Sequence, residues 1–175
     1  MLAGVPHSGM LCFDGGTPLL VAGSREDLRR PFPAYAEKCV PVDAVPDVVV
    51  KANVFVDTDE AGTRDLIARA AREVPELDLD YAHAGFSNVM PHGYNKGSGT
   101  HMLCELLDID ESEVVVFGDA GNDLPLFSAV PNSVAVANAQ PEAATAARWH
   151  IGRCEDDAVA AAIEALAVGE WPFSV

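Results

Sequence analysis

Apolar and polar positions change rhythm once along this chain, and the change divides it in two. Residues 9–22 (GMLCFDGGTPLLVA) read as two short strands joined by the turn Asp14-Gly15-Gly16-Thr17. Residues 24–38 hold Pro31 and Pro33, so any helix there is short or interrupted, because proline lacks a backbone donor and clashes with the preceding turn. Residues 51–57 (KANVFVD) alternate like a half-buried strand. Thr58 or Asp59 is placed to cap a helix over 60–74, where Leu66, Ile67, Ala70, Ala71 and Val74 recur at helical spacing. That helix ends before Pro75; residues 77–90 offer two weaker strands, and Pro91-His92-Gly93 reads as a linker.

From Asn95 the pattern becomes helix (98–107), strand (114–118), helix (122–128), strand (133–137) and helix (141–147), the grammar of a parallel α/β sheet. A short strand near Trp149–Ile151 precedes a last helix over 155–167, with Val159, Ile163 and Leu166 on one face. The expectation is an α+β segment over residues 1–92 followed by a parallel-sheet α/β segment over 93–175.

Charge narrows the partners. Eleven Lys and Arg against 27 Asp and Glu give a net charge of −16, which disfavours nucleic acid and anionic membrane, since both need basic surface. A small substrate fits better, and any phosphate site must be built locally from a metal, a lysine and backbone N–H groups. Cys12, Cys39, Cys104 and Cys154 form no CxxC pair, and Cys104 lies in an apolar helical pattern that suits a buried free thiol. With no apolar run of membrane-spanning length and no signal-peptide pattern at the first residues, a cytoplasmic protein is expected.

The chemistry concentrates in two stretches. Val114-Val115-Val116-Phe117, apolar without alternation, reads as a parallel strand covered on both faces, ended by Gly118. Ligands gather beyond the carboxyl ends of such strands, where Asp119 falls, and a helix starting near Asn122 would aim its free N–H groups at the same place. Asp119 and Asp123 offer the hard oxygen ligands that Mg²⁺ prefers, and Asn122 is a neutral donor to a phosphate oxygen. The same residue types also serve as ordinary helix caps and turn formers. The second stretch, Asn95-Lys96-Gly97-Ser98-Gly99-Thr100, places Lys96 at a helix N-terminus, where anions bind, beside glycines that let the backbone approach a ligand. Because the lysine comes first, this is not a P-loop.

Lys96-Gly97, a helix, and an apolar strand ending Gly-Asp-x-x-Asn-Asp together resemble the C-terminal part of haloacid dehalogenase (HAD) superfamily phosphatases, specifically the Cof-like, type IIB sugar-phosphatase branch. Ser133-Val134-Ala135-Val136-Ala137-Asn138-Ala139 is similar to that family's next strand and its Asn-Ala ending, and Glu155-Asp156-Asp157-Ala158-Val159 precedes the final helix as it does there. The resemblance implies the C-terminal half of a HAD-like Rossmannoid parallel sheet over 93–175, preceded by an α+β cap over 1–92 that selects substrate. It implies Mg²⁺ as cofactor and phosphomonoesters, sugar phosphates foremost, as substrates. Lys96 would neutralise phosphate and developing charge, Asp119 would ligate the metal, Asp123 would hold it directly or through water, and Asn122, with Gly97, would bind phosphate.

The family's attacking aspartate belongs to an apolar strand followed by Asp-x-Asp-x-Thr, of which the chain has no good copy. Phe13-Asp14-Gly15-Gly16-Thr17 is better read as a hairpin turn, and Asp57-Thr58-Asp59 as helix capping. The expectation is a chain that starts at the cap and lacks the first half of the core, exposing strand edge and apolar face, so that it forms a homo-oligomer, swaps elements or takes up the missing N-terminal core segment. The alternative is a non-catalytic Mg²⁺- or phosphate-binding remnant or one half of a split enzyme. His83, His92, His101 and His150 lack metal spacing, with His101 expected to be packed or capping; Trp149 and Trp171 read as packing residues, and Glu155-Asp156-Asp157 as a helix N-terminal charge cluster.

Overall fold

The computed structural model describes Leu2 and residues 4–173, and its contacts divide the chain into two units, Met1–Gly93 and Tyr94–Val175. The first is built on β1 (Ser8–Phe13), β2 (Pro18–Ala22), β3 (Val40–Pro41), β4 (Lys51–Val56), β5 (Leu77–His83) and β6 (Phe86–Pro91), in the order β3-β2-β1-β4-β6-β5. Pairing is antiparallel except for the short parallel β2–β3 contact. Asp14–Thr17 forms the turn between β1 and β2, as the glycines predict. The two prolines split the next segment into short helices α1 (Arg25–Arg29) and α2 (Pro33–Lys38).

Alternation decides which side chains meet which helix. Leu11, Phe13, Phe55 and Phe86 share one sheet face with Leu28 of α1 and Ala36 of α2. Val54, Val56 and Leu79 turn to the other and pack on Leu66 and Ala70 of α3 (Glu60–Glu73). Asp59 caps α3 by accepting from Gly62 N–H at 2.9 Å, while Asp57 pairs with Arg30 at 2.6 Å. Ala84-Gly85 closes the β5–β6 hairpin, and Gly85 has φ +78°, a left-handed conformation that glycine adopts without strain. Strand β4 departs from the expected half-buried pattern: it lies inside the sheet with helices on both faces. The polar position Asn53 is fully buried and donates to Asn88 Oδ1 at 2.8 Å.

The second unit is a parallel three-stranded sheet, β7 (Val115–Gly118), β8 (Asn132–Val136) and β9 (Trp149–Ile151), in that order. The sheet carries α5 (Leu124–Ala129) and α6 (Pro141–Ala146) on one face, where Phe127, Ala143 and Val116 pack on Ala135. On the other, Val134 meets Ala162 of α7 (Ala158–Ala167), with Val115 and Phe117 packed beside it, and Phe173. Helix α4 (Lys96–Leu107) packs chiefly on α5. Central β8 is fully covered at Val134 and Ala135, as a parallel strand should be.

The apolar α4 residues Met102, Leu103, Leu106 and Leu107 are exposed, Leu106 to 81%, while Cys104 on the opposite side is the buried thiol that the pattern suggested. Two expectations are corrected. Strand β7 is a half-buried edge strand rather than one covered on both faces, because only β8 pairs with it among the described residues. The acidic run starts no long helix: Cys154–Asp156 is a 3₁₀ turn, and α7 begins only at Ala158, after Asp157 in the left-handed region.

Candidate active site

Strand β7 delivers Asp119 to the carboxyl end of the parallel sheet, and the chain then makes a 3₁₀ turn (Gly121–Asp123) before α5. The turn is wound around one carboxylate. Asp123, 2% exposed, accepts from Asp119 N–H at 2.8 Å and Ala120 N–H at 3.2 Å through Oδ2, and from the Lys96 ammonium through Oδ1. Burial, the largest single influence, pushes this carboxyl up. The Lys96 hydrogen bond, the two backbone donors and the lysine charge together outweigh it and hold Asp123 below the ordinary carboxylate range. Gly118 is small for the same reason: a Cβ there would come within 2.7 Å of the Asp123 side chain.

Lys96 is the first residue of α4, whose start is fixed by a reciprocal box. Asn95 Oδ1 accepts from Ser98 N–H at 3.0 Å, and Ser98 Oγ accepts from Asn95 N–H at 2.9 Å. The lysine side chain is still about half exposed, so its ammonium is anchored on one side and open on the other. Gly97 is buried, and a Cβ at this position would lie 2.3 Å from the Pro125 carbonyl oxygen, so the close approach of α4 to the start of α5 requires glycine.

Asp119 is held differently from Asp123. Its N–H is bonded to Asp123 and its carbonyl accepts from Gln140 N–H at 2.7 Å, yet its exposed carboxylate has no hydrogen-bond or ion-pair partner among the described residues. The Asn122 amide is likewise without a protein partner among them. Gln140 was not singled out by sequence reasoning. It caps α6 in the loop after β8, and its Oε1 accepts from Gly121 N–H at 3.2 Å. The available signal was its place beyond the carboxyl end of the strand adjoining β7.

The arrangement thus joins a lysine, a pinned loop, an open carboxylate and an open amide within one unit. Among the described residues no group of three or more His, Cys, Asp or Glu could hold a metal alone. The other sequence candidates lie elsewhere. Asp57 and Asp59 belong to the first unit as ion pair and cap. His101 is neither packed nor capping; it is exposed and bonded to Glu111 at 2.6 Å. Trp149 packs edge-on against Trp171 at 5.8 Å.

Residues 40–163 match the family model of haloacid dehalogenase-like hydrolases. The chain belongs to this family. A HAD relative, the phosphoglycolate phosphatase of Halorubrum lacusprofundi, is 32% identical over 147 residues, covering 81% of this chain and 62% of that protein. The solved structure of SMU.1108c from Streptococcus mutans superposes with a TM-score of 0.81 at 17% identity, over 95% of this chain and 64% of its own. A HAD subclass IIB sugar phosphatase superposes with a TM-score of 0.71 at 17% identity, over 93% of this chain and 62% of its own. The fold is therefore that of HAD-like α/β proteins. The chain spans between 30% and 62% of the length of curated relatives it matches, which are phosphatases by name.

Proposed function

We propose that the second unit is the metal- and phosphate-holding half of a Mg²⁺-dependent phosphatase of small phosphomonoesters, with sugar phosphates as the favoured class and the first unit as the substrate-selecting cap. The observation that carries this reading is the Asp119 carboxylate, without a partner among the described residues, on a backbone bonded at both its N–H and its carbonyl. A single hard oxygen donor in fixed position fits Mg²⁺, which keeps several waters and takes only one or two protein carboxylates. When bound, the ion would supply Lewis-acid stabilisation of phosphoryl oxygens. Asp123, with both oxygens engaged by the protein, fits the role of holding Lys96 and the loop rather than direct ligation. Lys96 would neutralise a phosphate, and Asn122 would orient it without adding charge.

The names of relatives support the substrate class: phosphoglycolate phosphatase and HMP-PP phosphatase name small phosphorylated compounds. No Asp-x-Asp-x-Thr occurs in the sequence, so the attacking carboxylate is assigned to a complementing segment. The exposed apolar face of α4 and the pairing of β7 with β8 alone among the described residues favour cover by another surface, either a distinct segment that carries the attacking carboxylate, as in a split enzyme, or a second copy, which would cover the face without supplying that group. The four free thiols suit a reducing compartment, the cytoplasm.

Calorimetric titration with Mg²⁺ and then inorganic phosphate is expected to show binding that Asp119→Asn abolishes and Asp123→Asn weakens with a loss of stability. Equal binding by the wild-type chain and Asp119→Asn would sink the assignment. Turnover of p-nitrophenyl phosphate by the chain alone should be near background, since loss of a nucleophile in another hydrolase lowers kcat on the order of 10⁶.

A further inference from the structure

Two loops at the carboxyl end of the second sheet are joined by one residue. Gln140 donates its backbone N–H to the Asp119 carbonyl at 2.7 Å and accepts the Gly121 N–H on its side-chain Oε1 at 3.2 Å. These bonds grip the metal-site loop on either side of Ala120. Asp123 holds the same loop from within, through the N–H groups of Asp119 and Ala120 and by donating its own N–H to the Ala120 carbonyl at 2.9 Å. The backbone groups of residues 119–121 engaged by these two residues include each of the three N–H groups, so the backbone from which the Asp119 side chain leaves is held by a frame of which Gln140 is the outer half.

Gln140 is itself well seated. It is the N-cap of α6, followed by Pro141, with φ −60° and ψ 148°, and its carbonyl accepts from Ala144 N–H at 2.9 Å. Proline in the first turn costs no donor that the helix needs. The exposed side chain can therefore be replaced without disturbing the core, while the backbone arm stays in place.

We propose that Gln140 is a positioning residue for the metal ligand: its amide oxygen, through Gly121 N–H, holds the Asp119 carboxylate in the orientation that captures Mg²⁺. This rests on the reading of Asp119 as the Mg²⁺ ligand. Groups that orient a metal ligand from behind typically change affinity by tenfold or more when removed. Leucine or methionine at this position loses the acceptor at similar bulk, and glutamate restores an acceptor oxygen at the same reach.

The experiment is calorimetric titration of the full chain with Mg²⁺ alone, on wild type, Gln140→Met and Gln140→Glu, with thermal melting and hydrogen exchange of the Gly121 amide followed in parallel. Gln140→Met is expected to raise the Kd for Mg²⁺ by about tenfold, to speed exchange at Gly121, and to leave the melting temperature unchanged. Gln140→Glu should restore slow exchange and tight binding together. A wild-type chain that takes up no Mg²⁺ overturns the reading of Asp119 and this proposal with it. Wild-type binding matched by Gln140→Met overturns the proposal alone, as does a loss of binding that follows a fall in melting temperature.

Discussion

At the residue scale, two glycines in one helix turn are under opposite constraints. Gly97 and Gly99 both lie in the first turn of α4, but a Cβ at Gly97 would meet the Pro125 carbonyl oxygen at 2.3 Å, whereas beyond the chain neighbours and the helix's own backbone nothing among the described residues lies within 4 Å of one at Gly99. Gly97→Ala should destabilise the second unit by about 1–3 kcal/mol, because the obstacle is backbone and α5 must move. Gly99→Ala should stabilise it by roughly 0.5–1 kcal/mol through helix propensity and reduced unfolded-state entropy. Chemical denaturation of the two variants checks both signs. His101 offers a second residue-scale prediction. Its hydrogen bond to Glu111, and then the charge of Glu105, raise its pKa, and Glu111 is lowered by the same bond. The histidine's contribution to stability is fully present below its unfolded pKa near ~6.5 and is lost as pH rises through the raised folded value; the Glu111 contribution is present above ~4.3 and lost as pH falls. Melting temperature against pH should therefore show a small plateau between about 4.5 and 6.5 that His101→Gln removes, and an unchanged profile in that variant would refute the pairing as a source of pH dependence.

At the scale of elements, helices with a cap and a complete apolar stripe were legible. Helix α3 starts after Asp59 and buries Leu66 and Ala70 as its spacing requires. Prolines 31 and 33 broke the preceding segment into α1 and α2 for a reason visible in the sequence. Strand β4 was harder, because period-two alternation reads a polar position as solvent-facing, and Asn53 instead finds a partner in Asn88 on the neighbouring strand. Within the site, sequence could place Asp119 and Asp123 on one turn but could not tell which carboxylate the loop itself would consume. That is decided by backbone N–H directions: Asp123 receives two of them plus Lys96, and among the described residues Asp119 receives none on its side chain. Gln140 was invisible to motif reading because its contribution is a contact between successive loops, made only when β7 and β8 pair in parallel register.

For the whole molecule, apolar pattern states that a face needs cover without saying what covers it. Met102, Leu103, Leu106 and Leu107 obey helical spacing, yet they are exposed, and β7 has one paired edge among the described residues. A net charge of −16 opposes self-association at low salt, where copies repel over a Debye length of about 10–30 Å. Raising the salt to about 1 M shortens that length to about 3 Å and strengthens the drive to bury apolar surface, so light scattering should show association that grows with salt and protein concentration. The double variant Met102→Glu/Leu106→Glu, one turn apart on α4, should suppress it without changing the Mg²⁺ affinity proposed for Asp119, since neither residue is part of the Lys96–Asp123 frame. A monodisperse monomer at high salt and high concentration would count against association of copies and leave a distinct complementing segment as the occupant of this face. Salt-driven association unaffected by the double variant would move the contact away from α4.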